Sequence, residues 1–270
     1  MKHACLVAVL VAGCLPPVTE IKTGSTMAAA DLPSDAASLV KFADDSYAKQ
    51  TPSAVANALV ALEKAAAAAG KDVEVQWRAA RAAVWLAEDV GDQPVRAKWA
   101  ERGIEFATLA IGLDQRRVEG HYYLAIAIGF LATTKKTGGT ELVPKMYKAA
   151  QDALASDERY DSGGPLRLIG AVLAKVPVWP VSVGDPDEAV KYLRRAVLLF
   201  PLHPHNHLLY ADALVADDKL ADAEREYRYV LVIPPRSEWA HRLEGWRKEA
   251  EQGLRRIETK RRGKGTGDPF

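Results

Sequence analysis

The stretch "AEREYRYVLVIPP", residues 223–235, carries the pattern that decides the fold. Ala223, Tyr227 and Val230 follow one another at steps of four and three residues, and Pro235 comes five residues later. Steps of three and four place side chains on one face of an α-helix, and a proline shortly after the last turn cannot continue it. The stretch therefore predicts a short helix with one buried apolar face.

Four other segments of the chain have the same spacing: Ala58, Leu62, Ala65 and Gly70; Ala100, Ile104, Ala107 and Gly112; Met146, Ala150, Ala153 and Glu158; Ala189, Leu193, Ala196 and Pro201. The first residues of the five segments are 42, 46, 43 and 34 residues apart. Small and apolar residues at these steps, closed by a helix breaker, resemble the second helix of a tetratricopeptide repeat (TPR). Five copies predict an all-α protein, a TPR-like helix-pair solenoid of about five units.

The first helix of such a unit has a small residue flanked by large ones, and three segments fit: His121, Leu124, Ala125 and Ile128; Leu166, Ile169, Gly170 and Leu173; His207, Tyr210, Ala211 and Leu214. The repeats are therefore predicted over residues 34–236. Residues 237–260 have Trp239 and Trp246 on one face and are expected to form a C-terminal capping helix. The polar, basic residues 261–270 are predicted to be disordered.

Three insertions separate the predicted helices within the units. They are "EDVGDQPVRAKW", "TTKKTGGTELVPK" and "KVPVWPVSVGDPDE". Repeat proteins commonly place binding loops at one end of the solenoid. We therefore expect these insertions to project as loops.

The composition limits the class of function. The chain has 270 residues, 49% of them apolar, and a net charge of +1. This length is enough to bury a sizeable core, and the many alanines favour helices. Because nucleic-acid binders normally carry a basic excess, no nucleic-acid partner is predicted.

The N-terminal residues resemble a bacterial lipoprotein signal. A positive start is followed by an uncharged run and by small residues before Cys14. The resemblance implies that residues 1–13 are a signal peptide, that Cys14 is acylated as a membrane anchor, and that residues 14–33 are a flexible tether. The alternative is an ordinary secretory signal or an uncleaved anchor. Leu15, in place of the Asp that retains many lipoproteins at the inner membrane, favours the periplasmic face of the outer membrane.

Three histidines in "FPLHPHNHLL", residues 200–209, raise the question of a metal site. Pro204 is expected at the first position of a helix, which makes His203 a turn or cap residue. His205 and His207 then point about 200° apart, so they cannot both reach one zinc ion. We interpret the stretch as a joint between repeats, and a metal-dependent enzyme is the least favoured hypothesis. The sequence also lacks the common nucleophile, phosphate-loop and dinucleotide motifs, so we predict no cofactor, no metal and no catalytic residue.

Two stretches at the start of first helices are candidate contact sites, "VEGHYYLAIAIG" from residue 118 and "DSGGPLRLIG" from residue 161. Neighbouring first helices line the concave face of a solenoid, so the two stretches are expected to lie close together. The planar guanidinium of Arg167 suits a carboxylate, and tyrosines offer an apolar face with a hydroxyl tip. In the alternative, Arg167 forms a structural ion pair and the tyrosines belong to the core. The candidate ligand- or partner-binding residues are Gly120, His121, Tyr122, Tyr123, Gly163, Gly164, Pro165, Arg167 and Trp179.

The segments "GHYYLA", "GGPLRLIG" and "PVSVGDPDEAVKYLRRAVLLFP", together with the lipobox, resemble the T component of TRAP transporters. That family consists of periplasmic TPR lipoproteins of some tripartite ATP-independent uptake systems. The resemblance implies a homotrimer that docks periplasmic solute-binding proteins and passes hydrophobic small ligands to them. The expected function is then a non-enzymatic, lipid-anchored accessory of solute uptake. The alternative is a general envelope scaffold that binds other proteins.

Overall fold

The computed structural model describes residues 31–69, 71–135, 138–178 and 181–265. The predicted signal peptide, most of the tether, Cys14 and Trp179 lie outside these residues. The helices are α1 Ala36–Tyr47, α2 Pro52–Ala69, α3 Val73–Asp89, α4 Gln93–Leu113, α5 Val118–Thr134, α6 Val143–Ser156, α7 Tyr160–Lys175, α8 Pro186–Leu199, α9 Pro204–Ala216, α10 Leu220–Val232 and α11 Ala240–Gly265. A short 3-10 helix, Gly139–Leu142, precedes α6.

The helices pack as consecutive pairs in two compact units, Met1–Asp157 (unit 1) and Glu158–Phe270 (unit 2). In unit 1, α1 packs on α2, α3 on α4, and α5 on α6. In unit 2, α7 packs on α8 and α9 on α10, and α11 covers α9 and α10. Within the part of the chain that the structure describes, five helix pairs and a C-terminal helix confirm the predicted all-α, TPR-like fold with a capping helix.

The residues that define the repeat form the inside of the helix pairs. A Cβ on Gly170 of α7 would lie 2.4 Å from Leu193 Cγ of α8, so only a glycine permits this contact. Close approach of the two backbones explains why the repeat positions hold small residues. The repeat residues of α8 and α10 have no exposed surface: Ala189, Leu193, Ala196, Ala223, Tyr227 and Val230.

The first insertion does not project as a loop. Helix α3 ends at Asp89 and α4 begins at Gln93, so most of "EDVGDQPVRAKW" belongs to helices. The Asp92 carboxylate caps α4 by accepting a hydrogen bond of 2.9 Å from Val95 N, and a proline occupies the first turn. Capping and proline together start a helix at this point, and the extra residues lengthen it.

The capping helix differs from its predicted bounds. It begins at Ala240 and continues to Gly265, so residues 261–265, which were predicted to be disordered, are helical. Its basic side chains hold this end to the neighbouring helices: Lys260 Nζ donates to Val215 O at 3.1 Å, and Arg261 pairs with Glu224 at 2.7 Å. The predicted apolar face is confirmed, because Trp239, which precedes α11, and Trp246 are buried in the core of unit 2.

Candidate functional site

The candidate residues of α5 are buried in unit 1. This helix packs against α3, α4 and α6, and it is apolar around its circumference, as expected of a central helix. His121, Tyr122 and Tyr123 are at most 9% exposed. The Nε2 atom of His121 lies 2.9 Å from Gln115 O, and the two tyrosine rings contact each other edge to face. These contacts agree with the alternative in which the tyrosines of this stretch belong to the core.

The candidate glycines permit close packing. A Cβ on Gly120 would lie 2.8 Å from Ile111 Cγ1 of α4. A Cβ on Gly163 would lie 3.2 Å from Phe200 Cδ2, and its φ of +86° is one that side-chain-bearing residues rarely adopt. The next two candidates, Gly164 and Pro165, are buried at the start of the regular part of α7.

Arg167 closes a left-handed turn at the start of α7. The turn consists of Asp161, Ser162 and Gly163, whose φ values are 48°, 53° and 86°. Arg167 Nη1 donates to Ser162 O and to Asn206 Oδ1, both at 2.9 Å. Arg167 Nη2 donates to the carbonyl of Asp161 at 2.8 Å and to its carboxylate at 2.7 Å. Arg167 is 6% exposed, and its contacts agree with the alternative in which it forms a structural ion pair.

The candidate residues of α5 and α7 fall in different compact units, so the structure defines two separate sets of contacts. Trp179 lies outside the described residues. Neither described set forms an exposed site, because every member is buried.

His203 and His205 belong to the joint between α8 and α9, as predicted. His203 is the N-cap of α9 and Pro204 is the first helical residue. The His203 ring contacts Trp239 edge on, with centroids 5.1 Å apart, and the His205 ring stacks on Trp246 at 5.0 Å. Burial, assisted by the positive charge of a nearby arginine, lowers the pKa of His203 to about 2 and also lowers the pKa of His205. Both imidazoles are therefore neutral at physiological pH.

His207 has both ring nitrogens engaged within unit 2. Its Nδ1 lies 2.6 Å from Glu226 Oε2, and its Nε2 lies 2.7 Å from Pro201 O. Its ring also contacts Tyr229, with centroids 4.5 Å apart. Across the described ranges, no group of three His, Cys, Asp or Glu side chains could hold a metal ion. Over the same ranges, no helix combines the length and apolar character that crossing a membrane requires.

A ladder of ion pairs crosses the first helices of unit 1. Asp44 of α1 accepts from Arg78 Nε at 3.0 Å and from Arg81 Nη2 at 2.8 Å. Glu74 of α3 accepts from Arg78 and from Arg117, which precedes α5. Burial raises the pKa of Glu74, but hydrogen bonds from its arginine neighbours outweigh that effect and keep the pKa below its ordinary value. Glu74 therefore stays charged, and the ion pairs of the ladder join three first helices.

Aromatic rings lie against the guanidinium groups of two arginines of the ladder. The Arg81 guanidinium lies 3.9 Å from the Tyr47 ring centroid and 5.1 Å from that of Trp77, and the Arg78 guanidinium lies 4.3 Å from Trp77. The side chains of Arg78 and Arg81 are 18% and 19% exposed, and both rings are half-buried. We call the surface of Tyr47, Trp77, Arg78 and Arg81 the ladder face. Nothing in the sequence indicated this surface, because Tyr47 of α1 meets the α3 side chains only through the Tyr47–Arg81 contact and the ion pairs of Asp44 with Arg78 and Arg81.

Comparisons with known proteins agree with the fold. Residues 39–149, less than half of the chain, are similar to a family described as regulator of microtubule dynamics protein 1-3. A thermophilic TPR protein of Thermus thermophilus has a similar structure, with a TM-score of 0.60 and 18% identity over 81% of this chain and 98% of that chain. The MamA protein is similar with a TM-score of 0.49 and 16% identity over 77% and 94%. No curated protein matches the sequence. The Thermus structure supports the TPR-like fold.

Proposed function

We propose that this protein is a non-enzymatic protein-binding scaffold and that the ladder face of unit 1 is one of its contact surfaces. The observation that carries the proposal is the set of half-buried tyrosine, tryptophan and arginine side chains held side by side on the first helices. Tryptophan, tyrosine and arginine dominate the binding energy of protein interfaces. The ladder residues also lie within the range 39–149 that is similar to a protein family.

The ladder prepares these side chains for binding. Asp44 and Glu74 fix the guanidinium of Arg78 in place, and Asp44 also fixes that of Arg81. Side chains that are already ordered lose little conformational entropy when a partner binds. The face is therefore expected to bind a protein without large rearrangement.

The charges of the ladder indicate how the partner is recognised. Three arginines, Arg78, Arg81 and Arg117, are matched by the carboxylates of Asp44, Glu74 and Glu119. A balanced set of charges produces little long-range attraction. Recognition therefore rests on stacking and hydrogen bonds, and the affinity is expected to depend weakly on salt.

The finer proposal concerns the cellular location of the protein and the uptake system in which it takes part. The lipobox before Cys14 supports a lipid-anchored protein on the periplasmic face of the outer membrane. The segments quoted above that resemble the T component of TRAP transporters support a periplasmic solute-binding protein as the partner and a homotrimer as the assembly. The general envelope scaffold remains the alternative function, and it uses the same ladder face.

The ladder face can be tested by recovering partners of the full-length tagged protein from cells that naturally express it. We expect Trp77→Ala and Arg81→Ala to reduce the recovered partner about tenfold, as measured by quantitative mass spectrometry. Arg102→Ala is the matched control, because Arg102 also pairs with two carboxylates and lies over an aromatic ring, but on second helix α4. Equal recovery with all three variants would disprove the role of the ladder face.

The identity of the recovered protein tests the finer proposal. A periplasmic solute-binding protein supports the transport function, whereas secretion or assembly proteins support the general scaffold. A cytoskeletal partner would contradict an envelope location. Labelling with an alkyne-bearing fatty acid tests the anchor, and we expect Cys14→Ser to abolish the label and to release the protein from the membrane fraction.

A further inference from the structure

The turn between α1 and α2 holds a residue type that does not suit its backbone. Gln50 has a φ of +50°, in the left-handed region. Glycine adopts this region without strain, and the turn between α9 and α10 has Asp218 there, at φ +57°. Aspartate tolerates left-handed backbone because its short side chain can hydrogen-bond locally. Glutamine has no such advantage, so the reason for its presence lies in the contacts of its side chain.

The Gln50 side chain joins the end of α1 to α3. Its Nε2 atom donates to Tyr47 O at 2.8 Å, and its backbone N donates to the same carbonyl at 3.0 Å. Its Oε1 atom accepts from Trp85 Nε1 at 2.8 Å. Trp85 is a buried residue of α3 and is 5% exposed. One side chain therefore connects the last residue of α1 to the core of unit 1.

The same two helices meet at the ladder face. The Tyr47 ring contacts the Arg81 guanidinium, with 3.9 Å between the ring centroid and the guanidinium carbon. Arg81 and Trp85 are four residues apart on α3, so they are neighbours on one side of that helix. Tyr47 is thus held to this part of α3 twice, through its ring to Arg81 and through its carbonyl, by way of Gln50, to Trp85.

The ion pairs of Asp44 connect α1 to α3 at a different place. Asp44 lies one turn before Tyr47, and its carboxylate pairs with Arg78 and Arg81. These bonds hold the guanidinium groups, whereas the Tyr47 carbonyl belongs to the last turn of α1. Carbonyls of a last turn lack partners within the helix, and helix ends open more readily than helix centres. Gln50 supplies that carbonyl with two donors, one from its backbone and one from its side chain.

We propose that Gln50 is a positioning residue of the ladder face: it anchors the Tyr47 carbonyl to Trp85 and so holds the Tyr47 ring beside Arg81 in the free protein. The inference rests on the proposed function of the ladder face and adds to it a residue outside that face. A tyrosine that is already fixed loses less conformational entropy on binding than a mobile one. The strained backbone of Gln50 is then offset by order at a binding surface.

Gln50→Gly separates positioning from folding. Glycine removes the side-chain hydrogen bonds but relieves the left-handed backbone, so the two effects on stability oppose each other. We expect circular dichroism to show the helical content of the wild type. In NMR spectra of the full-length protein with isotope-labelled arginine, the Arg81 side-chain protons should lose the upfield shift that the Tyr47 ring causes. Asp218→Gly is the matched control, because it makes the same backbone change in a turn of unit 2, and it should leave these signals unchanged.

Gln50→Glu tests the Tyr47 carbonyl separately. An ionised glutamate keeps an acceptor for Trp85 Nε1, but it cannot donate to Tyr47 O. The Arg81 signals should therefore move in the same direction as in Gln50→Gly. Unchanged Arg81 signals in both variants would overturn the proposal.

Recovery of partners connects the position of Tyr47 to binding. The full-length tagged variants are expressed in cells that naturally contain the protein, and recovered proteins are quantified by mass spectrometry. We expect Gln50→Gly to reduce recovery about threefold, less than Trp77→Ala, and Asp218→Gly to leave it unchanged. Wild-type recovery with Gln50→Gly, together with a loss in Trp77→Ala, would overturn the role of Gln50 alone. Wild-type recovery with Trp77→Ala would instead contradict the ladder face, and the role of Gln50 in binding with it.

Discussion

Arg167 and Asn206 form a buried side-chain pair in unit 2, with Arg167 Nη1 2.9 Å from Asn206 Oδ1. Arg167 holds the left-handed turn of Asp161 and Ser162, and Asn206 Nδ2 donates to Ser162 O and to Ala196 O. The pair thereby joins the start of α7, the end of α8 and the first turns of α9. It acts as a structural connector and shows why a buried arginine on a first helix need not bind a ligand.

The first prediction concerns this connector. Asn206→Ala removes the hydrogen bond that Arg167 donates to Asn206 and the two that Asn206 donates to Ser162 O and Ala196 O, so we expect the free energy of unfolding to fall by about 1–3 kcal/mol. Arg195→Ala is the control, because its ion pair with Glu158 is 59% exposed on the arginine side, and it should cost less than about 1 kcal/mol. Urea titrations followed by circular dichroism measure both. Similar costs for the two variants would contradict the role of the connector.

The second prediction concerns pH. The pKa of His203 is lowered by burial to about 2, below the ordinary value of 6.5, so folding favours the neutral imidazole. Its contribution to stability is therefore complete above about pH 6.5 and is lost as the pH falls toward the folded pKa, by up to about 1.4 kcal/mol per pH unit.

His203→Phe keeps a ring against Trp239 but removes the titrating group. The free energy of unfolding of this variant should consequently fall less steeply with pH than that of the wild type between about pH 6 and pH 4. Urea titrations across this range provide the measurement. Parallel curves for the two proteins would show that folding does not change the pKa of His203.

The third prediction concerns the docking of the capping helix. A Cβ on Gly253 of α11 would lie 2.3 Å from Tyr227 Cζ, and Tyr227 has no exposed surface. Gly253→Ala should therefore lower the melting temperature and the free energy of unfolding, by about 1–3 kcal/mol, because the ring or the helix must move.

Gly112→Ala is the matched control for this prediction. A Cβ on Gly112 of α4 meets no atom within 4 Å, so alanine should be neutral or should stabilise the helix by up to about 1 kcal/mol. Thermal unfolding of both variants is the measurement. If Gly253→Ala unfolded at the wild-type temperature, α11 would not be seated on α10 as described.

The sequence predicted the fold well because the repeat pattern is local. Residues such as Ala189, Leu193 and Ala196 are spaced by helix geometry, and all three are fully buried. The role of Pro204 as the first helical residue also followed from local chemistry. The bounds of α4 and α11 were harder to predict, because the cap at Asp92 acts at the start of α4 and the ion pair of Arg261 with Glu224 acts at the end of α11.

The functional surfaces could not be predicted in the same way. Arg167 resembles a ligand-binding arginine until its partner Asn206, 39 residues later, is brought beside it. The ladder face similarly depends on hydrogen bonds between Asp44 of α1 and two arginines of α3, Arg78 and Arg81. Contacts between residues far apart in sequence leave no periodic signal, so the structure was needed to find them.

Site-specific photo-crosslinking tests the central claim most directly. A benzophenone amino acid is placed at the exposed position 48, beside Tyr47 of the ladder face, and, as a control, at the exposed position 112 of α4, and the full-length protein is crosslinked in cells that naturally express it. We predict a partner protein crosslinked from position 48, absent from position 112, and lost when Arg81→Ala is added. Crosslinks that are absent from position 48, or the same from both positions, would contradict a protein-binding function for the ladder face.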